Sequence, residues 1–300
     1  MNDAAEPRRA PLPRGVLSGR RTALRRTISI ALAAVNRTLD RVVPGGRWLH
    51  RYVHGRVQLT ELTLPLRRGA EGLDGLRLAF VSDVHAGSFL DEDDLCRLFE
   101  RIAAAKPDVL LLGGDLINTR EREILMFERP LAICRPRLGT FAVPGNHDHF
   151  YGTDISLWSA WLERRGVEVL DNRGLRLEHG QSSLWLCGVD DLTEGEPELA
   201  AALGGRRDDE PAILLSHHPD FFFEAAAVDV DLQLSGHTHG GQIRVFGWAP
   251  IHHSKFGYER GWFCENDSRL YVGRGVGMTL LPLRIDAPPE VPIVTLRAVR

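Results

Sequence analysis

A chain of 300 residues can form one large domain or two small ones, and its formal net charge of −3 argues against a polyanionic partner for the molecule as a whole. Hydrophobic residues make up 43% and charged residues 26%, the composition of a globular chain with a sizeable core. Cys96, Cys134, Cys187 and Cys264 are far apart and form no C-x-x-C, which excludes a disulfide framework and suits a reducing compartment. The charge is uneven. Residues 1–60 hold twelve Arg against Asp3, Glu6 and Asp40, a balance of +9, so the remainder carries −12. A basic arm, residues 1–55, is expected to precede an acidic body, residues 56–300, and to have a partner of its own.

Residues 1–19 are rich in Pro, Arg and Gly and read as disordered. A helical period follows, with Leu24, Ile28, Leu32, Val35, Leu39 and Val42 on one stripe and Arg20, Arg21, Arg25, Arg26, Arg37 and Arg41 around it. Pro44-Gly45-Gly46 ends it. A basic amphipathic helix over residues 20–43 reads as an element that lies on an anionic membrane. The other reading is a brace whose stripe packs on the protein's own core. Arg20-Arg21-Thr22-Ala23-Leu24-Arg25 is loosely similar to a twin-arginine export signal, but Asn36-Arg37 interrupts the short apolar region after it. No stretch reaches the ~18–20 apolar residues of a spanning helix. The expected location is the cytoplasm, peripheral to the inner membrane.

From Val57 the pattern alternates. Strands are expected at Val57–Leu66, Leu76–Ser82, Val109–Leu112, Gly139–Val143, Ala212–Leu215 and Val230–Leu234, with a strand pair at Leu175–Leu177 and Ser183–Val189 around His179-Gly180-Gln181. Helices are expected from Asp91 to Ala105, over Glu121–Ile133, from Asp154 to Gly166 and over Phe221–Val228. Short strands follow at Gln242–Val245, Leu270–Val272 and Val291–Leu296. Alternating βα units followed by β-rich sequence predict an α/β fold in which a mixed sheet packs on a second sheet, with helices outside.

Five of the apolar strands end in polar clusters: Ser82-Asp83-Val84-His85, Gly113-Gly114-Asp115, Gly145-Asn146-His147-Asp148, Ser216-His217-His218 and Gly236-His237-Thr238-His239. Ligands gather beyond the carboxyl ends of strands in open α/β sheets, so the five can converge. Asp83 with His85, and His237 with His239, stand at i and i+2; in extended backbone such pairs project to one side and reach one point. The donor set is nitrogen and oxygen without thiolate, which suits Mn²⁺, Fe²⁺ or Zn²⁺ better than Mg²⁺ or Ca²⁺.

Asp-x-His, Gly-Asp, Gly-Asn-His-Asp, a strand-end His and Gly-His-x-His, in that order, resemble the calcineurin-like metallophosphoesterases. The ending Gly-His-Thr-His-Gly-Gly-Gln resembles the bacterial branch of small phosphodiesterases and UDP-2,3-diacylglucosamine pyrophosphohydrolases. The resemblance covers residues 73–297, from before Asp83 to the ending Arg284 to Pro289-Glu290. It implies a two-sheet sandwich flanked by helices and two divalent metal ions. Asp83, His85 and His239 would bind one, Asn146, His217 and His237 the other, and Asp115 would bridge. His147 would give a proton to the leaving oxygen, help worth roughly 10²–10⁴-fold. Many relatives read Gly-Asp-x-x-Asp, whose second Asp orients the acid histidine; Asn118 stands there in this chain. The Asp-Arg-Gly of protein phosphatases is replaced by Asn118-Thr119-Arg120, which argues against phosphoprotein substrates.

The expected activity is hydrolysis of a phosphodiester or pyrophosphate bond, with a lipid-linked substrate suggested by the arm. Trp248, Ile251, Phe256, Tyr258, Trp262 and Phe263, in a loop-rich stretch that the resemblance places near the site mouth, are a second motive for a lipid. The alternatives are a phosphomonoesterase of small metabolites and a membrane-attached scaffold without turnover.

Overall fold

Four-residue runs such as Val109–Leu112 are buried on both faces, and that double burial sets the architecture. The computed structural model describes residues 8–9, 57–67, 71–87, 89–149, 155–249, 252–279, 281 and 283–298. The expected helix over residues 20–43 lies outside them.

One sheet is ordered β2 (Gln58–Leu66), β13 (Glu290–Ala298), β3 (Arg77–Val81), β4 (Val109–Leu112), β5 (Thr140–Ala142) and β6 (Val167–Val169). The other is ordered β1 (Arg8–Arg9), β11 (Gly261–Glu265), β12 (Ser268–Val272), β10 (Leu232–Ser235), β9 (Ala212–Leu215), β8 (Ser182–Gly188) and β7 (Arg173–His179). Both sheets are mixed. β3 to β6 are parallel, as are β8, β9, β10 and β12, while β13 runs antiparallel to β3 and β7 to β8.

Alternation along each strand builds the layers. Leu78, Phe80, Val109, Leu111 and Phe141 face Leu184, Leu186, Ile213, Leu215, Leu232 and Leu234 between the sheets. Ala79, Val81, Leu110 and Leu112 point outward against α1 (Glu92–Ala104), which buries Leu95, Leu98, Phe99 and Ile102 there. Each such side chain contributes roughly 1.5–3 kcal/mol of burial. α3 (Ile155–Glu163) adds Trp158, Trp161 and Leu162 to the same cluster. On the far side, Ala212, Leu214 and Cys187 pack on α5 (Phe222–Ala227). The expected four-layer α/β sandwich is the observed fold.

The start of α1 is as expected. Asp91 accepts from the Asp94 amide at 3.0 Å, and the Asp94 carboxylate accepts from the Asp91 amide at 3.3 Å. Four readings change. Glu121–Ile133 is not one helix but a 3₁₀ segment, Glu121–Phe127, followed by α2 (Glu128–Ile133). Pro130 is tolerated only in a first turn, so the helix restarts two residues before it. Gln242–Val245 is not a strand, because His239–Gly241 is a 3₁₀ turn and Gln242 takes φ 43°. The strands Val167–Val169 and Gly261–Glu265 and the short helix α4 (Leu199–Ala202) were not expected. Arg8–Arg9, expected within a disordered arm, pairs with Phe263 and Cys264 at the edge of β11.

The four cysteines are free. Among the described residues, no helix is long and apolar enough to cross a membrane.

Candidate metal centre

The carboxyl ends of β3, β4, β5, β9 and β10 meet at one end of the sandwich. Crossed backbone bonds bring the loops together: the Asp83 amide donates to Gly114 O and the His85 amide to Asp115 O, both at 3.0 Å. The backbone there is not extended. Asp83 (φ 52°), His85 (47°), Asp115 (53°), His237 (69°) and His239 (52°) are all left-handed. Strand alternation ends with the strand, so the extended-backbone argument does not apply here; Asp83 and His85 reach one point all the same, whereas the second pair does not. His237 and His239 do not reach one point. His239 turns toward Asp83 and His85, whereas His237 turns toward Asn146 and His217.

Small residues permit the convergence. A Cβ at Gly145 would lie 2.4 Å from Asp115 Oδ1, and one at Gly236 would lie 2.2 Å from Asp83 Oδ2.

Three sets of side chains have ligand atoms mutually within 4.8 Å: Asp83, His85 and His239; Asp83, Asp115 and His217; His85, Asp115 and His147. His85 Nε2 lies 3.0 Å from His239 Nε2, and Asp83 Oδ1 lies 3.6 Å from the latter. Asp115 Oδ2 lies 3.2 Å from His217 Nε2 and 3.6 Å from His85 Nε2. Beside these, His237 Nδ1 lies 2.8 Å from Asn146 Oδ1.

The donor set fits a cation. His217 Nδ1–H donates to Gly113 O at 2.8 Å, while its buried Nε2 makes no hydrogen bond. Ring donation to a backbone carbonyl, with the other nitrogen turned to a ligand, is how a metal-binding histidine is oriented. Burial holds His85, His237 and His239 well below the ordinary imidazole range, so each offers a lone pair at neutral pH. Burial pulls His217 the same way, but Asp115 overrides it and holds that ring well above its ordinary range. The field that favours a proton on His217 favours a metal cation equally.

The supporting residues are largely ones that no local pattern announces. Ser82 Oγ donates to Asp83 Oδ2 at 2.6 Å, and the His237 amide donates to Asp83 Oδ1 at 2.8 Å. Glu123 Oε2 accepts from the amides of Asn118, Thr119 and Arg120 at 3.0, 2.7 and 3.0 Å. That loop carries the Asn118 carbonyl, which accepts from His147 Nδ1–H at 2.7 Å. The Asn118 side-chain oxygen is buried without a partner, so the main chain orients this ring. Arg284, whose guanidinium burial pushes down to about 10, donates to the carbonyls of Gly277, Arg274, Ala287 and His239, and its Nη2 lies 3.3 Å from His239 Nδ1.

Asp148 ties two of the loops together. Its carboxylate accepts from the amides of Leu116, Ile117 and Gly145 at 3.1, 3.2 and 2.9 Å. Asp148→Ala is expected to leave these buried donors unpaired and to cost about 3 kcal/mol or more, at ~1–3 kcal/mol for each. Urea unfolding of the two proteins measures it. A loss below ~1 kcal/mol would mean that water takes over the carboxylate's bonds.

Neighbouring histidines and aromatics are engaged elsewhere. His218, next to His217 in the strand-end cluster, is buried and caps the Pro219–Phe221 turn through Nδ1, which accepts from the Asp220 amide at 3.2 Å. His149 is engaged by Asp190 at 2.6 Å. Of the aromatics placed at the site mouth, Tyr258 and Phe263 are instead buried behind β12, where the apolar core accommodates their rings.

A family model for calcineurin-like phosphoesterases matches residues 76–241, from the start of β3 to the turn after β10. The metallophosphoesterase YkuE of Bacillus subtilis (strain 168) is 33% identical over 265 residues, covering 85% of this chain and 91% of that protein. A metallophosphoesterase of Helicobacter pylori (strain ATCC 700392 / 26695) is 32% identical over 223 residues, covering 72% and 58%. A transmembrane protein with metallophosphoesterase domain from Danio rerio is 30% identical over 257 residues, covering 80% and 57%. The chain thus spans little more than half the length of the last two. The matched span holds every loop of the buried cluster, and on that ground the chain belongs to the calcineurin-like phosphoesterase family of hydrolases.

Proposed function

We propose that the protein is a binuclear phosphoesterase that hydrolyses a phosphodiester or pyrophosphate bond. Asp83, His85 and His239 would hold one divalent cation, Asn146, His217 and His237 the other, with Asp115 shared and Mn²⁺, Fe²⁺ or Zn²⁺ as the ion. The observation that carries this reading is the divergence of His237 and His239 into two groups flanking Asp115. Two such ions, when bound, clamp the attacking and leaving oxygens of an in-line displacement at phosphorus and acidify water. The chain's own part is to orient the ligands, through Gly113 O and Ser82, and to hold a proton on His147 against the Asn118 carbonyl.

Full-length protein should hydrolyse bis-p-nitrophenyl phosphate with Mn²⁺, lose that activity to EDTA and regain it on adding Mn²⁺. Faster turnover of p-nitrophenyl phosphate would favour the small-metabolite monoesterase. Turnover of neither would favour a scaffold.

The substrate is read as lipid-linked, with residues 20–43 on the cytoplasmic face of an anionic membrane. The domain begins at the catalytic end: the Gln58 amide donates to Pro289 O at 2.9 Å, and Gln58 Oε1 accepts from Arg274, which packs on Gly240. The name of the Danio rerio relative is in keeping with work at a membrane. Each basic residue near such a surface contributes roughly 1 kcal/mol, lost with salt. Full-length protein that fails to sediment with anionic vesicles at low salt would end this part of the reading.

A further inference from the structure

Eight large apolar side chains are exposed among the described residues, and five of them lie on two touching segments: Val245, Phe246, Trp248, Leu281 and Ile285. The segments are tied by an Ile243–Ile285 bridge, by the Arg244 amide donating to Ile285 O at 3.0 Å, and by Gln242 Nε2 donating to Leu281 O at 3.2 Å.

The first segment is a tight hairpin. The amides and carbonyls of Val245 and Trp248 exchange bonds at 2.8 and 3.0 Å around Phe246-Gly247. Both central residues have positive φ, 51° and 80°, the geometry of a type I′ turn. That turn favours Asn or Asp before Gly, and a bulky residue in left-handed backbone is strained. Phe246 is nevertheless there, fully exposed, and Trp248 beside it is 62% exposed. Neither turn chemistry nor packing asks for these rings.

We propose that the hairpin tip, with Leu281 and Ile285, is a membrane anchor that seats in the interfacial layer of an anionic bilayer. It rests on the lipid-surface reading of the arm and is independent of the reaction assigned to the metal cluster. Position on the fold selects lipid over a protein partner. The hairpin returns to the loop after His239, where a Cβ at Gly241 would lie 2.8 Å from Ala249 Cβ. The second segment runs on from Ile285 to Pro289, which meets Gln58, where the arm joins the domain. The apolar tip, the mouth of the cluster and the junction of an arm with twelve Arg before Thr60 therefore share one end of the molecule. A tip of a few residues is small for a stable protein interface, which buries about 800 Å² on each partner. Aromatic and aliphatic side chains beside basic sequence are the composition of an interfacial anchor.

The test uses the full chain, vesicles of phosphatidylcholine with phosphatidylglycerol, and Phe246→Asn combined with Trp248→Ser. Asn suits the turn, so the fold is kept. The double variant is expected to partition onto vesicles more weakly by on the order of tenfold or more. Its Mn²⁺-dependent turnover of bis-p-nitrophenyl phosphate should equal that of the parent. Equal partitioning of variant and parent would overturn the anchor. So would light scattering that shows a parent dimer and a variant monomer, since the patch then belongs to a second copy. Absence of turnover in both proteins with the difference in partitioning intact would strike the reaction and leave the anchor standing.

Discussion

Replacing Asp115 with alanine is expected to remove both metal ions and to lower kcat/KM on a diester by on the order of 10³-fold or more, since each ion supplies several kcal/mol of charge stabilisation. The geometry makes this residue the hub. One carboxylate oxygen lies between His217 Nε2 at 3.2 Å and His85 Nε2 at 3.6 Å, and the other accepts from the His147 amide at 2.7 Å. On the proposed reading, losing it would remove the ligand shared by both groups, and it would free the loop that carries His147. A lone substitution in one group, such as His239→Ala, should by contrast spare the ion in the other. Elemental analysis of the purified variants, with circular dichroism to show that the fold persists, decides it. Two ions per chain retained in Asp115→Ala would refute the shared role.

The layers were legible in the sequence because burial on both faces leaves a mark. Val109–Leu112 and Ala212–Leu215 are apolar at every position, and Asp91 with three acids after it marks the start of α1. The convergence of the five loops was legible from strand ends alone. The path of the backbone through them was not. The pairs Asp83/His85 and His237/His239 were read as extended, yet these four residues and Asp115 are left-handed. Each costs about 1–3 kcal/mol that the crossed bonds of the loops must offset. Asp and His are enriched in such backbone, but only weakly against the strand pattern that precedes them, and the glycines around them are the other sign. Glu123, and the part Arg284 plays beyond its place in the family-like ending, were invisible for a different reason. They act on His239 and on the Asn118 loop through contacts that only the closed fold creates. Asn118 shows the same limit from the other side. Its side chain was weighed as the orienter of His147, and its carbonyl performs that task.

That contact shapes the expectation for His147. His147→Ala should keep the metal content of the parent if the proposed ligand sets, which do not use it, are right; loss of an ion would instead make the group His85, Asp115 and His147 a metal site. It should slow hydrolysis of diesters with alkyl leaving groups by roughly 10²–10⁴-fold, the usual worth of a positioned acid. Bis-p-nitrophenyl phosphate should lose much less, since nitrophenolate leaves without a proton. Asn118→Ala then separates main chain from side chain. The carbonyl stays in place and the ring keeps its bond, so alkyl diesters should lose less than about tenfold. A loss in Asn118→Ala that matches His147→Ala would mean that the side chain reaches the ring during turnover. Equal losses on alkyl and nitrophenyl diesters in His147→Ala would mean that the ring does not protonate the leaving oxygen, whatever holds it in place.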